Sequence, residues 1–365
     1  MSLTEVNQDI NIVPKSTRGP ATKVKRTGVL LAQLGTPNAP TVSEVRPYLR
    51  EFLNDPRVID IPFLLRFLLV NLIIVPFRAP KSTKIYKELW VEGDGASPLR
   101  THTENLTSKL NEQLHSDNVI VHMAMRYQQP SMDDVLEKMR QENYDKIIIL
   151  PLFPHYASSS SGSAIQKALE IISKWWVIPE LEVVNQFYEE EFYIDALVQQ
   201  ARQFDLEEYD HIVMSYHGLP ERHVDKVYDG KSNLCADHNC EVDLDNSNKF
   251  CYKATAFETS RRIASKLGIR PEQYTVAFQS RLDKKWLTPF SDEIVEEMAK
   301  EGMKKILVFS PAFVADCLET IIEIGSEYQE IFEEFGGDKV QLVPSCNTQP
   351  VWVEGLAGFI RNKAL

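Results

Sequence analysis

Two pairs of apolar segments recur in the same order along this 365-residue chain, and their repetition strongly constrains the fold. The segment GVLLAQLGTP at residues 28–37 is echoed by HIVMSYHGLP at 211–220, each an apolar run that ends in Gly-x-Pro. The segment IIILPLFPHYASSSSG at 147–162 is echoed by ILVFSPAFVADCLET at 306–320, with Pro and Phe two residues apart in both. This repetition predicts two related halves.

Strand-like and helix-like segments alternate along the whole chain. The run KIIILPLFPHY at residues 146–156 is continuously apolar, which is typical of a strand buried on both faces of a parallel sheet. The segment SMDDVLEKMRQ at 131–141 has a helical pattern, with Ser131 as its N-cap. The alternation predicts an α/β fold with two Rossmann-like, doubly wound halves, each built on a parallel sheet.

In such a fold the ligand cleft lies between the halves, at the carboxyl ends of the strands. The loops expected at those ends contain Gly35, Tyr156, His217 and Asp316. The predicted division of the chain is a flexible leader at 1–26, an N-terminal half at 27–190 and a C-terminal half at 191–365.

Composition and missing motifs exclude several classes of function. The net charge of −12 argues against a nucleic-acid groove and against attraction to anionic lipid. Five cysteines in this length do not make a disulfide scaffold, and the N-terminal segment has no apolar core typical of a signal peptide, so we expect a cytoplasmic protein. The sequence has no P-loop, no Gly-x-Gly-x-x-Gly fingerprint and no Gly-x-Ser-x-Gly elbow.

The most apolar segment is IPFLLRFLLVNLIIVPFR at residues 61–78, which we call the lip. It is interrupted by Arg66 and Asn71 and bounded by Pro62 and Pro76. A helix between those prolines would span about 21 Å, less than the roughly 30 Å of a bilayer core, so a transmembrane span is not expected. Two interpretations remain open: a buried core helix, or an exposed surface for a flat apolar substrate or a membrane.

A histidine and a row of carboxylates carry the strongest chemical signal. His217 stands at a predicted strand end, where an imidazole can accept a proton or bind a metal; a histidine satisfied by local backbone groups is the plainer alternative. Asp316, Glu319, Glu323 and Glu327 are spaced three, four and four residues apart, which on a helix places them along one face. A solvated acidic face would look the same, but the neighbouring isoleucines favour an inward row that carries protons or hard cations.

Other segments suit a planar ligand that bears carboxylates. Arg126 precedes Tyr127, and Arg281 lies near Trp286, so each pair offers a guanidinium for an acid and a ring for a flat face. The serine-rich segment at 157–163 follows a strand and is suited either to cap a helix or to bind an anion through backbone amides.

Three cysteines lie in a polar insertion at residues 229–252. They are Cys235, Cys240 and Cys251, with His238 between the first two. Such a group can bind zinc or an iron–sulfur cluster, but its spacing matches no standard zinc signature and the local sequence supplies no plain fourth ligand.

Taken together, the motifs SYHGLPERH, SPAFVADCLET with its acidic row, QSRLDKKWLTP, RYQQPS and LAQLGTPNAP resemble those of ferrochelatases. The resemblance extends from about residue 27 to the C-terminus. It implies two Rossmann-like halves around a porphyrin cleft, and insertion of Fe²⁺ into protoporphyrin IX with release of two protons to give protohaem. It implies no required cofactor beyond the substrate iron.

The resemblance also implies roles for individual residues. His217 matches the active-site histidine and Glu319 the glutamate that faces it, while Glu323 and Glu327 match the acidic row leading away from the pocket. These four residues are the implied metal-binding set. The implied substrate-binding residues are Leu34, Arg126, Tyr127, Tyr156, Trp286, Phe313 and Asp316.

Two departures from the family pattern bear on the substrate and the cofactor. Relatives that prefer coproporphyrin carry tyrosine at the position of Leu34, so leucine here favours protoporphyrin IX. Some relatives hold a [2Fe–2S] cluster on four cysteines in the insertion, and Ala256 occupies the position of the fourth, which counts against a cluster on Cys235, Cys240 and Cys251.

Two alternative functions remain open beside ferrochelatase. A cobalt or nickel chelatase acting on a tetrapyrrole with eight carboxylates would require a strongly basic pocket, which the net charge does not favour. A non-catalytic tetrapyrrole- or metal-binding protein would not need a proton acceptor opposite an acidic row. The lip also favours the apolar protoporphyrin IX, which partitions into membranes, and predicts peripheral membrane contact through residues 61–78.

Overall fold

Two four-stranded sheets form the centre of the computed structural model, which describes residues 25–228 and 240–364. The first sheet contains β1 (Thr27–Gly35), β2 (Val119–Tyr127), β3 (Lys146–Pro151) and β4 (Glu180–Val183). The second contains β5 (His211–His217), β6 (Tyr274–Gln279), β7 (Lys305–Phe309) and β8 (Lys339–Leu342). All neighbouring strands within each sheet are parallel.

The two sheets share one topology. Their strand orders are β2-β1-β3-β4 and β6-β5-β7-β8, so each strand of the first sheet has a counterpart four strands later. The two echoed sequence pairs supply the central strands, β1 with β5 and β3 with β7. The prediction of two similar α/β halves with parallel sheets is therefore confirmed.

Helices connect the strands and cover both sheets. Ser131 caps the helix that follows β2, as predicted, since its Oγ accepts a hydrogen bond from the Asp134 N–H at 3.1 Å. The α-helices are α1 Val42–Leu53, α2 Phe63–Leu68, α3 Val75–Glu92, α4 Pro98–Leu114, α5 Met132–Glu142, α6 Ser163–Ile172, α7 Glu191–Ala201, α8 Glu221–Asp225, α9 Tyr252–Leu267, α10 Ser291–Lys300, α11 Tyr328–Glu334 and α12 Pro350–Ala364. Three π-helical segments lie at Leu69–Ile74, Ser158–Gly162 and Glu319–Glu327, and single 3₁₀ turns lie at His115–Asp117, Leu206–Glu208, Lys226–Tyr228 and Pro271–Gln273.

The helix of the lip is longer than its prolines predict. It runs through Pro76 without a break, from Phe63 to Glu92, and by length and composition alone it could cross a membrane. Proline lacks the N–H that an ordinary helical turn needs, and its ring crowds the preceding turn. Here the preceding π-helical segment is already wider, because the Val75 N–H pairs with the Val70 carbonyl five residues back. The wider turn accommodates the proline ring.

This lip helix has a packed face and an exposed face. Val70 and Val75 are fully buried against the first half, and Arg66 is also buried, with its Nη1 donating to the Ile61 carbonyl at 2.8 Å. On the other face, Leu72 and Phe77 are 65% and 74% exposed. Each sequence interpretation therefore describes one face of the same helix.

The last helix packs across both halves. It contacts α7, which begins the predicted C-terminal half, and α4, which belongs to the predicted N-terminal half. Its Trp352 side chain is fully buried, and the ring centroids of Phe187, Phe192 and Tyr193 lie 5.9, 5.7 and 6.4 Å from it. Burying one large aromatic side chain among three others stabilises the junction beyond the area buried.

Replacing Trp352 by alanine is expected to lower the free energy of unfolding by about 3–5 kcal/mol, because the change removes a large buried ring and leaves a cavity. Urea unfolding followed by circular dichroism measures this loss. The matched control is Trp176→Ala, since that tryptophan is fully exposed and its removal should change stability by no more than about 0.5 kcal/mol. Equal losses in both variants would contradict the shared core.

Candidate functional site

The carboxyl ends of the second sheet's strands bring His217 and the acidic row together. His217 is the last residue of β5 and pairs in register with Gln279, the last residue of β6. Gln279 Nε2 lies 3.2 Å from Glu323 Oε2, so one side chain links the histidine strand to the acidic row. Parallel strands end at one edge of a sheet, which is why residues far apart in the sequence meet here.

His217 is held in one tautomer. Its Nδ1 lies 2.7 Å from the Gly218 carbonyl oxygen, which can only accept, so in the neutral ring Nδ1 carries the proton and Nε2 the lone pair. The ring lies 6.5 Å from the Trp286 ring and 6.4 Å from the Phe313 ring. The site therefore presents a basic nitrogen beside two aromatic side chains.

Glycine is required directly after this histidine. The Gly218 N–H donates to the Gln279 carbonyl oxygen at 2.7 Å. A Cβ at this position would lie 2.7 Å from that oxygen and 3.3 Å from the Trp286 ring, which is too close for any larger residue.

The acidic row lies on a π-helix rather than an α-helix. Glu319, Glu323 and Glu327 all fall in the π-helical segment Glu319–Glu327, so their spacing follows its wider turns instead of a regular i, i+4 ladder. Asp316 lies outside it. Its carboxylate accepts hydrogen bonds from the Ser345 N–H at 3.1 Å and from Asn347 Nδ2 at 2.6 Å. The prediction that Asp316 belongs to the ladder is wrong, because its oxygens hold the loop after β8.

Two glutamates of the row differ in their partners. Glu323 accepts from the Ser280 N–H at 2.8 Å, from Ser280 Oγ at 2.5 Å and from Gln279 Nε2 at 3.2 Å. Glu319 Oε2 accepts from the Cys317 thiol at 3.1 Å. Ser280 has a φ of +62°, a strained conformation for a serine, and it brings two donors to one carboxylate.

Burial and the charges of neighbouring carboxylates make Glu323 and Glu327 easier to protonate. Burial is the main cause that raises the pKa of Glu323 above its ordinary value, and the negative charge of Glu319 adds to it. Burial also raises the pKa of Glu327, with a contribution from Glu323. These two carboxylates are suited to take up protons near the site. Among the described residues, no three His, Cys, Asp or Glu side chains are grouped closely enough to hold a metal ion together.

The Arg126 and Tyr127 pair is organised by a buried aspartate. Asp55 Oδ2 lies 2.7 Å from Arg126 Nη2, 2.9 Å from the Tyr127 hydroxyl and 2.5 Å from Ser163 Oγ. Burial raises the pKa of Asp55, but these hydrogen bonds and the one from the Arg57 N–H outweigh it and hold the pKa below the ordinary value. The aspartate therefore remains ionised.

Tyr127 does not face open space. Its side chain is fully buried and its ring packs edge-on against Phe52 at 5.3 Å. This corrects the expectation that Tyr127 contacts a ligand face: its hydroxyl is used to hold Asp55, and only Arg126 of the pair is partly exposed, at 19% of its side chain. Arg281 is also engaged elsewhere, because its guanidinium binds Asp292 and Glu293.

The remaining predicted residues lie in different surroundings. Leu34 is partly buried against the cluster that contains Tyr48 and Val70. Tyr156 lines a separate cavity between the halves and packs edge-on against Phe250 at 6.2 Å.

The cysteine insertion is described only in part. Cys235 lies outside the described residues, whereas Cys240 and Cys251 are buried with their sulfurs 3.9 Å apart. Ala256, at the position of the expected fourth ligand, is buried in α9. The cluster prediction is neither supported nor contradicted by this geometry.

Sequence patterns missed several residues of the site. Burial raises the pKa values of Tyr48 and Tyr86 above their ordinary range, and the charge of Glu319 raises both further, so the two tyrosines lie near that carboxylate. The positive charge of Arg78, at the end of the lip, acts on both in the opposite direction. Tyr48 and Tyr86 each fit the apolar pattern of a helix that packs on a core, so the sequence gave no sign that they belong to a site.

Comparisons with known proteins agree with this geometry. The sequence model of the ferrochelatase family matches residues 26–364. The chain is 42% identical over 336 residues to the ferrochelatase of Coxiella burnetii (strain Dugway 5J108-111), covering 91% of this chain and 92% of that protein. It is 40% identical over 339 residues to the ferrochelatase of Legionella pneumophila (strain Philadelphia 1), covering 93% and 99%.

A solved structure adds evidence on the fold alone. SirB from Bacillus subtilis with Fe³⁺ superposes with a TM-score of 0.54 at 9% identity, covering 93% of this chain and 96% of that one. The family match spans residues 26–364, which contain all the strands that the structure describes, and the two bacterial relatives each cover more than 90% of the chain. The chain belongs to the ferrochelatase family.

Proposed function

We propose that this member of the family inserts Fe²⁺ into protoporphyrin IX, with His217 and Glu319 as its catalytic residues. The observation that carries the proposal is the fixed tautomer of His217, whose Nε2 lone pair is presented beside the rings of Trp286 and Phe313. A flat macrocycle packs well against aromatic side chains, and its pyrrole N–H groups need a proton acceptor.

The proton balance of the reaction assigns the first step to His217. Insertion of Fe²⁺ into a free-base porphyrin replaces two pyrrole protons with one dication, so two protons must leave. Nε2 of His217 can accept one because Nδ1 already donates to the Gly218 carbonyl. Glu323, whose pKa is raised by burial, is suited to take up protons that leave the ring.

Glu319, Glu323 and Glu327 are proposed to bind the incoming Fe²⁺ in turn. Carboxylate oxygens are ligands for hard and borderline cations, and the three follow one another along the π-helical segment. Because no preassembled group of three ligands occurs in residues 25–228 and 240–364, we infer brief contacts with one or two carboxylates at a time. Transient binding suits a substrate that must move on.

The substrate is proposed to be protoporphyrin IX rather than a more carboxylated porphyrin. Leu34 is apolar and packs beside Tyr48 and Val70, in surroundings that favour an apolar substituent over an extra carboxylate. This proposal leaves no role for a [2Fe–2S] cluster in the reaction.

The lip is proposed to contact a membrane surface peripherally while the protein remains on the cytoplasmic side. Its outer face exposes Phe63, Leu64, Leu72 and Phe77, at 69%, 64%, 65% and 74%. Such a contiguous apolar surface favours insertion among lipid acyl chains, from which an apolar porphyrin is also supplied.

Replacing His217 by alanine is expected to reduce iron insertion about 10²- to 10⁴-fold, because the proton acceptor is lost. Porphyrin affinity should change little, since Trp286 and Phe313 remain. An anaerobic assay that follows the loss of free-porphyrin fluorescence on Fe²⁺ addition measures turnover, and fluorescence titration measures binding. His115→Ala is the control, as that histidine is exposed in a 3₁₀ turn. Turnover within threefold of wild type in His217→Ala would rule out the assigned role.

Replacing Asp55 by asparagine is expected to cost about 2–4 kcal/mol of folding free energy at pH 7, because a buried carboxylate that holds Arg126, Tyr127 and Ser163 is lost. Since the folded pKa of Asp55 is lowered, its contribution is fully present above the unfolded value of about 3.9 and is lost as pH falls through the folded pKa. The difference in unfolding free energy between wild type and variant should therefore become smaller below about pH 4.

Urea unfolding at a series of pH values measures this gap. Asp117→Asn is the control, because the Asp117 to Arg361 ion pair at 2.9 Å is partly exposed and should contribute less than about 1 kcal/mol. A gap that stays constant from pH 7 to pH 3 would contradict the assigned pKa direction.

Introducing charges on the lip is expected to abolish membrane contact. In the double variant Leu64→Glu and Leu72→Glu, two exposed apolar side chains become anions, which should weaken binding to zwitterionic vesicles about a hundredfold or more. Flotation with liposomes measures binding. Trp176→Glu is the control, since that side chain is also exposed but lies outside the lip, in the loop between α6 and β4. Failure of the wild type to float with vesicles would end the proposal of lipid contact.

A further inference from the structure

A cavity of about 510 Å³ lies between the two halves, beside the segment that follows His217. Arg57 and Tyr156 line it from the first half, and Leu219, two residues after His217, lines it from the second. Neither Trp286 nor the acidic row belongs to its walls. It is therefore a distinct space next to the catalytic residues.

The walls of this cavity carry positive charge and no acidic side chain within the part of the chain that the structure describes. Its cations are Arg57 and Lys226, in a chain whose net charge is −12. His223 also lines it, but burial lowers the pKa of that ring, so it is mostly uncharged at neutral pH. A cationic cavity in an acidic protein favours an anionic ligand.

Arg57 is the cation that is available to a ligand. It donates Nε to Gln166 Oε1 at 2.5 Å and Nη1 to Ser158 Oγ at 2.7 Å, and both partners are neutral. It makes no ion pair with any residue in 25–228 or 240–364. Lys226, by contrast, lies 2.7 Å from Asp60. A half-buried guanidinium with only neutral partners retains the capacity to pair a carboxylate.

The backbone near Arg57 adds to this preference. Ser158 and Ser159 line the same cavity and begin the continuous helix formed by Ser158–Gly162 and α6. The first N–H groups of a helix carry partial positive charge and favour an anion. This partial charge adds to the positive charge of Arg57, whose Nη1 donates to the hydroxyl of Ser158.

The rest of the cavity suits a flat apolar body. The rings of Tyr156 and Phe250 meet edge-on at 6.2 Å, and Leu219, Val224 and Tyr252 complete this side of the wall. Rings and branched aliphatic side chains pack against planar apolar groups, while the half-buried Arg57 fixes the orientation of a polar end.

We propose that this cavity binds a carboxylate carried on a flat apolar skeleton, with Arg57 pairing the carboxylate. The carboxylate has two sources: a propionate side chain of the porphyrin, which rests on the proposed function, or a separate aromatic acid that binds beside the porphyrin. Both use the same contact with Arg57.

The test uses 2-naphthoate, protoporphyrin IX and protoporphyrin IX dimethyl ester as probes of the full-length protein. Calorimetry with 2-naphthoate is expected to show binding to wild type, weakened about tenfold to a hundredfold in Arg57→Gln. If the porphyrin supplies the carboxylate, Arg57→Gln also weakens the binding of protoporphyrin IX to a similar degree and leaves the binding of the dimethyl ester unchanged. In that case naphthoate competes with protoporphyrin IX. If a separate acid supplies it, protoporphyrin IX binding is unchanged and naphthoate binds the porphyrin-loaded protein.

Two further variants guard against loss of folding as the cause. Asn185→Asp keeps Arg57 but places a carboxylate in the cavity wall, and should weaken naphthoate in the same direction. Arg50→Gln, an exposed arginine of α1, should change nothing. The proposal is overturned if wild type does not bind naphthoate and Arg57→Gln leaves protoporphyrin IX binding unchanged, or if both cavity variants bind every probe as wild type does. Iron turnover by wild type tests the proposed function separately, because naphthoate binding does not require it.

Discussion

The buried contact around His155 joins the two halves, and the geometry of the site depends on it. His155 follows β3 in the first half, and its ring lies 5.4 Å from Tyr216 and 5.9 Å from Tyr252 of the second. Burial lowers the pKa of this histidine to about 3, so the ring is neutral and can pack among tyrosines without an unpaired buried charge. Since Tyr216 directly precedes His217, the same contact fixes where β5 ends relative to the first half.

Parallel topology explains why so much of the fold and site could be predicted from sequence. Strands buried on both faces of a parallel sheet are continuously apolar, so β3 and β7 could be predicted from the local sequence alone. Once the strands of each half are known to be parallel, their carboxyl ends must lie at one edge of the sheet. A polar residue at such an end is then a candidate site residue by its position alone. His217 was identified in this way, since it ends β5.

Residues whose role depends on a distant partner could not be predicted in the same way. Tyr127 was predicted to contact a ligand face, but its hydroxyl donates a hydrogen bond to Asp55, 72 residues earlier, and its side chain is buried. Asp316 fits the spacing of the acidic row, yet the loop that contains Asn347 supplies donors for its oxygens. Pro76 stops an ordinary helix but not one whose preceding turn is already wide. In each case a local pattern was overridden by a hydrogen bond that spacing does not encode.

The different anchoring of two neighbouring glutamates suggests how the proposed reaction divides its tasks. Glu323 accepts three hydrogen bonds from Ser280 and Gln279, so reorienting its carboxylate would break all of them. Glu319 accepts from the thiol of Cys317, a weak donor, and can rotate at a smaller cost. A carboxylate that must approach a porphyrin and then withdraw needs that freedom, whereas one that passes protons or cations along a fixed row needs a constant position. Glu319 and Glu323 lie four residues apart on the same π-helical segment, so the weakly held and the firmly held carboxylate are neighbours in the acidic row.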